Sequence, residues 1–188
     1  RKKDAMALLQ RIHHVAYRCR DAQQTVEWYR QHLGMDFVLA IAEDRVPSTK
    51  APDPYMHVFL DAGAGNVLAF FELPAQPPSP TNGRDPHTPD WVQHIAFKVK
   101  DRAELIEFRA HLESHGVEVL GITDHGAFHS IYFFDPNGHR LELACPDPEE
   151  DAMIKRLDAV KWDMLEEWSQ TRRAPRHGAF LHEREFKK

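Results

Sequence analysis

Two short segments of the chain carry the same pattern of apolar and polar positions. His14-Val15-Ala16-Tyr17-Arg18-Cys19-Arg20-Asp21 and His94-Ile95-Ala96-Phe97-Lys98-Val99-Lys100-Asp101 agree in identity or type, with Cys19 against Val99 a pairing of two small apolar residues. In each, the sides alternate as they do along a half-buried strand. Each ends on an Asp placed to cap a helix. Apolar residues then recur at helical spacing, as Val26, Tyr29 and Leu33 in one copy and Leu105, Phe108 and Leu112 in the other. Gly34 and Gly116 mark the ends of these helices. Three strands are predicted after each helix, over 37–41, 55–60 and 67–73 in the first half, and over 117–120, 130–134 and 140–144 in the second. Asp135-Pro136-Asn137-Gly138 is a turn signal between the last two. Each half is therefore a βαβββ module, and the fold class is α+β.

The modules span 11–73 and 91–145. Residues 74–90 hold six prolines and no periodicity, which predicts a linker. The polar stretch 43–54 has no counterpart in the second half, and such an insertion suits the rim of a binding site. From 146 to 188 the composition shifts. A helix is expected over 147–170, with an acidic first turn and a stripe of Ile154, Leu157, Val160, Met164 and Trp168. The basic segment 171–188 reads as a surface arm, and 1–5 as a frayed end.

Composition narrows the function classes. A chain of 188 residues with 42% apolar and 28% charged residues suits one ordinary globular domain. Its net charge of −5 and pI near 6.2 disfavour a nucleic-acid binder. No apolar run is long enough for a membrane span or a signal peptide, so no membrane partner is expected. Two cysteines, Cys19 and Cys145, cannot build a disulfide scaffold, which makes the cytoplasm the expected compartment.

A duplicated module brings equivalent positions together near a pseudo-twofold axis. His14 and His94 are equivalent, and the rival His13 aligns with Gln93. Glu72 and Glu142 each lie among apolar residues in the last strand of their half. A carboxylate in such a place is costly unless paired or metal-bound. Two His with one or two Glu form a recognised set for one divalent metal.

The two His-hydrophobic-Ala strands, together with Ser130-Ile131-Tyr132-Phe133-Phe134-Asp135-Pro136-Asn137-Gly138-His139-Arg140-Leu141-Glu142, resemble the vicinal oxygen chelate superfamily. That superfamily includes glyoxalase I, fosfomycin- and bleomycin-resistance proteins and extradiol ring-cleaving dioxygenases. The resemblance covers roughly Arg11 to Cys145. It implies paired βαβββ modules forming an open, cup-shaped mixed sheet around one metal, followed here by the C-terminal helix. The implied ligands are His14, His94 and Glu142, with Glu72 at the position of a glyoxalase-type fourth ligand.

Coordination counting separates the reactions. Ring cleavage needs two positions for catechol oxygens and one for O₂, so it requires a three-ligand Fe(II) site. Tyr132 stands ten residues before Glu142, the spacing of the active-site Tyr in extradiol dioxygenases. Asp124-His125-Gly126 resembles a His-containing turn of small catechol dioxygenases. His125, His129 or His57 would move protons. Against this, Gly65-Asn66 stands where two-domain extradiol enzymes carry an acid–base His. The expected function is an Fe(II) extradiol-type dioxygenase acting on a small catecholic substrate with vicinal oxygens. The alternative is a glyoxalase-like isomerase or lyase using Zn, Ni or Mn with His14, Glu72, His94 and Glu142. A metal-dependent ligand-sequestering resistance protein is a third class. A homodimer through the 147–170 stripe is a further expectation.

Overall fold

Asp21 and Asp101 open the two module helices from the positions their spacing predicts. The Asp21 carboxylate accepts a hydrogen bond from the Gln24 amide at 2.8 Å, ahead of α1 (Ala22–Leu33). Asp101 accepts from the Glu104 amide at 3.0 Å, ahead of α2 (Arg102–Ser114). The structure is a computed structural model that describes residues 11–181. The expected tail at 1–5 and the end of the arm at 182–188 lie outside the described residues.

The strands are β1 (Val15–Cys19), β2 (Asp36–Glu43), β3 (Tyr55–Asp61), β4 (Val67–Glu72), β5 (His94–Lys98), β6 (Leu120–Asp124), β7 (Phe128–Phe134) and β8 (Arg140–Pro146). They make two four-stranded mixed sheets of the same topology, ordered β1-β4-β3-β2 and β5-β8-β7-β6. In each, the first and last strands of a module run parallel and the remaining neighbours antiparallel. The repeat read from the sequence is thus a repeat of α+β modules. The chain divides into two units, one reaching to Gln93 and including Asp135–His139, the other comprising His94–Phe134 and the residues from Arg140 onward.

In the first unit, α1 covers one face of its sheet. The Tyr29 ring meets Phe70 with centroids 5.2 Å apart, and Val58, Leu60 and Leu68 are buried on that side. The turn Asp135–His139 adds a buried polar network. Asp135 accepts from the Tyr29 hydroxyl at 2.9 Å and from the amides of Asn137 and His139 at 2.9 and 2.8 Å. Asn137 bonds the Arg20 amide at 2.9 Å and receives Asn82 on its carbonyl at 2.6 Å. Residues 74–90 contain no helix or strand, yet Asn82 ties them to this turn.

In the second unit, α2 packs on β7 and β8 and buries Leu105 and Leu112. Ile131, Phe133, Leu141 and Leu143 are buried at alternate positions. The strand expected over 117–120 begins instead at Leu120. The amides of Gly116 and Val117 bond the carbonyls of Glu113 and Leu112, so these residues are still closing the helix. Gly116 makes that turn at a φ of +75°, where a side chain would be strained.

The C-terminal helix α3 (Glu150–Thr171) packs through Met153, Leu157, Val160 and Met164. Ile154 and Trp168, expected on the same stripe, are exposed. Spacing explains this, because Met153 rather than Ile154 completes an i, i+4, i+7, i+11 row with the other three. A short 3₁₀ turn, Arg176–Gly178, lies on α3, with Gly178 against Met164. No helix among the described residues is long and apolar enough to cross a membrane.

Candidate metal centre

Glu142 sits between Leu141 and Leu143 on β8, and strand alternation sends it to the side away from those two residues. It is only 4% exposed. Its two oxygens have separate partners. Oε1 accepts from the Ser130 hydroxyl, and Oε2 lies 2.9 Å from His94 Nε2. β5 and β8 are parallel neighbours with His94 beside Arg140 and Ala96 beside Glu142, so the His94 ring meets the carboxylate two residues further along the face they share. Two donors each about 2.1 Å from one ion and at right angles to each other stand ~3 Å apart. The His94–Glu142 pair has that spacing, and a buried carboxylate beside an imidazole is the donor chemistry a divalent ion takes. These two side chains offer two of the donors that such an ion takes.

Tyr132 pairs with Glu142 across β7 and β8, so both side chains share a face. The Tyr132 hydroxyl and His125 Nε2 are 2.7 Å apart, and this pair can pass a proton in either direction. Burial, and then the Glu142 charge, push the Tyr132 phenol up to about 12, while the Arg140 guanidinium 4.4 Å over its ring pulls the other way. His129 is a correction. It lies an odd number of residues from Tyr132 and pairs with Cys145, which puts it on the α2 side of the sheet. Its nearby carboxylates are Asp124 at 3.8 Å and Asp147 at 3.9 Å, and it does not join Glu142.

In the first unit, His14 precedes β1, with its ring against Phe59 at 5.6 Å and His57 at 6.0 Å. His13 Nδ1 is 2.8 Å from His14 Nδ1. His57 is 7% exposed and stacks on Phe71 at 3.5 Å. Its Nδ1 bonds the Phe70 carbonyl at 3.0 Å, and burial lowers its pKa below the usual 6.5. His57, its Nδ1 held by that carbonyl, thus lies beside His14.

Glu72 is the second correction. In the repeat, Ala16 corresponds to Ala96. Ala96 pairs with Glu142, but Ala16 pairs with Ala69. Ala69 is therefore the counterpart of Glu142, and Glu72 stands three residues further on. An odd offset reverses the face. Glu72 lies on the side of Leu68 and Phe70, where its Oε2 accepts from the Ala22 amide at the start of α1 at 2.7 Å. With Asp21, Glu43, Asp44, Tyr55 and Met56 it lines a cavity of about 580 Å³. The 43–54 loop does rim a cavity, but one on the α1 side of the sheet.

The profile of the Glyoxalase/Bleomycin resistance protein/Dioxygenase superfamily matches residues 11–143. The chain belongs to this superfamily. A protein of Bacillus subtilis (strain 168) named "Putative ring-cleaving dioxygenase MhqA" is 30% identical over 91 residues, which are 48% of this chain and 28% of that protein. The chain thus matches well under half of that relative's length. The glyoxalase family protein from Enterococcus faecalis is 27% identical with a TM-score of 0.51, over 72% of this chain and 97% of that one. The trypanothione-dependent glyoxalase I of Leishmania major has a TM-score of 0.55 at 24% identity, over 86% of this chain and 99% of that one, a likeness of fold.

Members of the superfamily bind a divalent metal and are mostly enzymes acting on small molecules. Within that setting Glu72→Gln is expected to leave metal stoichiometry unchanged. It keeps an acceptor for the Ala22 amide and loses only the charge at the helix N-terminus, about 0.5 kcal/mol. Metal titration and thermal unfolding check this, and a lost equivalent of metal would restore Glu72 as a ligand. Two residues at the centre carry no sequence signal for their roles, Ser130 and Arg140. Parity alone places Ser130 on the face of Tyr132.

Proposed function

We propose that this chain is an Fe(II)-dependent extradiol-type dioxygenase that opens a small catecholic ring, with His14, His94 and Glu142 as the metal ligands. The observation that carries this reading is the strand register, which puts Ala69 where a four-ligand site needs a second Glu. Three protein donors leave three positions on a six-coordinate ion, enough for two catechol oxygens and O₂. The relative named for ring cleavage supports the same class. The same register supports three protein ligands over the four of the glyoxalase-like alternative.

Bound Fe(II) would supply the electron transfer between an electron-rich diolate and O₂. The rest falls to the chain's own residues. His125 Nε2 and Tyr132 Oη, already hydrogen-bonded, accept a proton from a substrate hydroxyl and hold it near the ring. Arg140 beside Tyr132 favours negative charge there. Phe134, on the same face, offers apolar surface to the ring. In the overall reaction one C–C bond beside the diol breaks and both atoms of O₂ enter the product, so no further reductant is needed.

The test is O₂ consumption by protein purified anaerobically and loaded with Fe(II), set against a panel of catechols. One O₂ taken up per catechol, with a coloured ring-opened product and no turnover in the Zn(II) form, is the expected result. Isomerisation of a hemithioacetal by the Zn(II) or Ni(II) form, with no O₂ uptake on any catechol, would overturn the reading. Unchanged ligand held tightly through prolonged incubation would point to sequestration instead.

A further inference from the structure

We propose that Ser130 is a positioning residue that makes Glu142 a one-oxygen metal ligand. This rests on the metal site described above. Ser130 lies on β7 and is fully buried, at 0% exposed. Its hydroxyl donates to Glu142 Oε1, while Oε2 faces His94 Nε2 at 2.9 Å. A free carboxylate can hold a metal through one oxygen or both. The Ser130 proton occupies one of them, so Oε2 alone remains for the ion.

The placement is built by the fold. Ser130 pairs with Ala144, two residues along β8 from Glu142, on the face they share. Ala144 is small and leaves the hydroxyl room to reach diagonally to the carboxylate. A buried hydroxyl needs a partner and a buried carboxylate needs a donor, so each satisfies the other. The consequence for the chemistry is a count. A Glu held through one oxygen leaves an additional coordination position that a two-oxygen Glu would fill. Ring cleavage as proposed above uses every position that three single-atom ligands leave. Partners in the outer shell of a metal site commonly set affinity by about 10–100-fold.

The experiment measures Co(II) binding by calorimetry and the Co(II) visible spectrum at saturation, for the parent protein, Ser130→Ala and Ser130→Thr, with metal-free thermal unfolding alongside. The expected result is a Co(II) affinity about tenfold or more weaker in Ser130→Ala. Its saturated spectrum should also change, reporting an altered coordination shell, with both properties restored by the hydroxyl of Ser130→Thr. A hydroxyl that served only packing would shift the unfolding temperature and leave the saturated spectrum alone. An unchanged affinity and spectrum in Ser130→Ala would overturn the positioning role while leaving the metal site standing. No Co(II) binding by the parent protein would overturn both. Should Ser130→Ala fail to fold, Ser130→Cys, close in volume and a poorer donor, is measured in its place and judged by the same outcomes.

Discussion

Glu142→Ala and His94→Ala are each expected to abolish specific metal binding, and the double variant to lose nothing more. His94 Nε2 and Glu142 Oε2 stand 2.9 Å apart. If both atoms hold one ion, removing either leaves too few donors, and the second removal acts on a site already empty. Such non-additivity is the mark of residues that work as a unit. The readout is the metal-dependent gain in stability. A ligand bound only by the folded state, at a hundred times its dissociation constant, adds about 2.7 kcal/mol. The parent protein should show that gain with Mn(II) or Fe(II), and all three variants should show none. Ring-cleaving turnover should fall with it, by at least ~10²-fold. Glu142→Gln sharpens the test, because it keeps the volume and the bond to Ser130 and removes only the charge. Metal-dependent stabilisation retained in Glu142→Gln, or losses that add between the single variants, would mean that these two residues do not share an ion.

Most of what positions this pair is legible in the chain itself. The doubled His-hydrophobic-Ala strand followed by a capping Asp determines the order of elements in each sheet. It also singles out His94 over its neighbours. The spacing from Tyr132 to Glu142 spans one hairpin and sets them opposite each other. What resisted reading was register. Glu72 and Glu142 sit in strings that look alike, Phe71-Glu72-Leu73 and Leu141-Glu142-Leu143. Hydrophobic flanks say that a residue is in a strand, not which neighbour it meets. The β1–β4 pairing slips that match by three residues and turns Glu72 under α1. His129 fails for the same reason, one residue out of phase with Ser130 and Tyr132. Ser130 is a small polar residue inside an apolar strand, a pattern that also fits a plain solvent-facing position. Only the Glu142 oxygen above it gives it meaning.

Asp135→Ala is the change expected to cost the most stability, about 3 kcal/mol or more. Asp135 is 5% exposed and accepts from the hydroxyl of Tyr29 and from two amides of its own turn. Alanine leaves the fully buried Tyr29 hydroxyl and both amides without their acceptor, and each orphaned group costs about 1–3 kcal/mol. Against a usual total of about 5–15 kcal/mol, the loss is a large share of the fold. Asp135→Asn keeps one acceptor and should cost less. Tyr29→Phe removes the donor and should cost about 1 kcal/mol. Urea midpoints for the three variants check the order, and a small Asp135→Ala effect would mean that water satisfies the turn. Tyr29 adds a pH signature. Its burial, reinforced by the Asp135 charge, raises the phenol well above 10.0. The folded state therefore keeps the proton where the unfolded chain releases it. The contribution is fully present below the unfolded value near 10 and declines as pH rises above it. Alkaline titration of stability should consequently fall more steeply in the parent protein than in Tyr29→Phe. Parallel curves would show that this phenol reaches water before the rest of the fold opens.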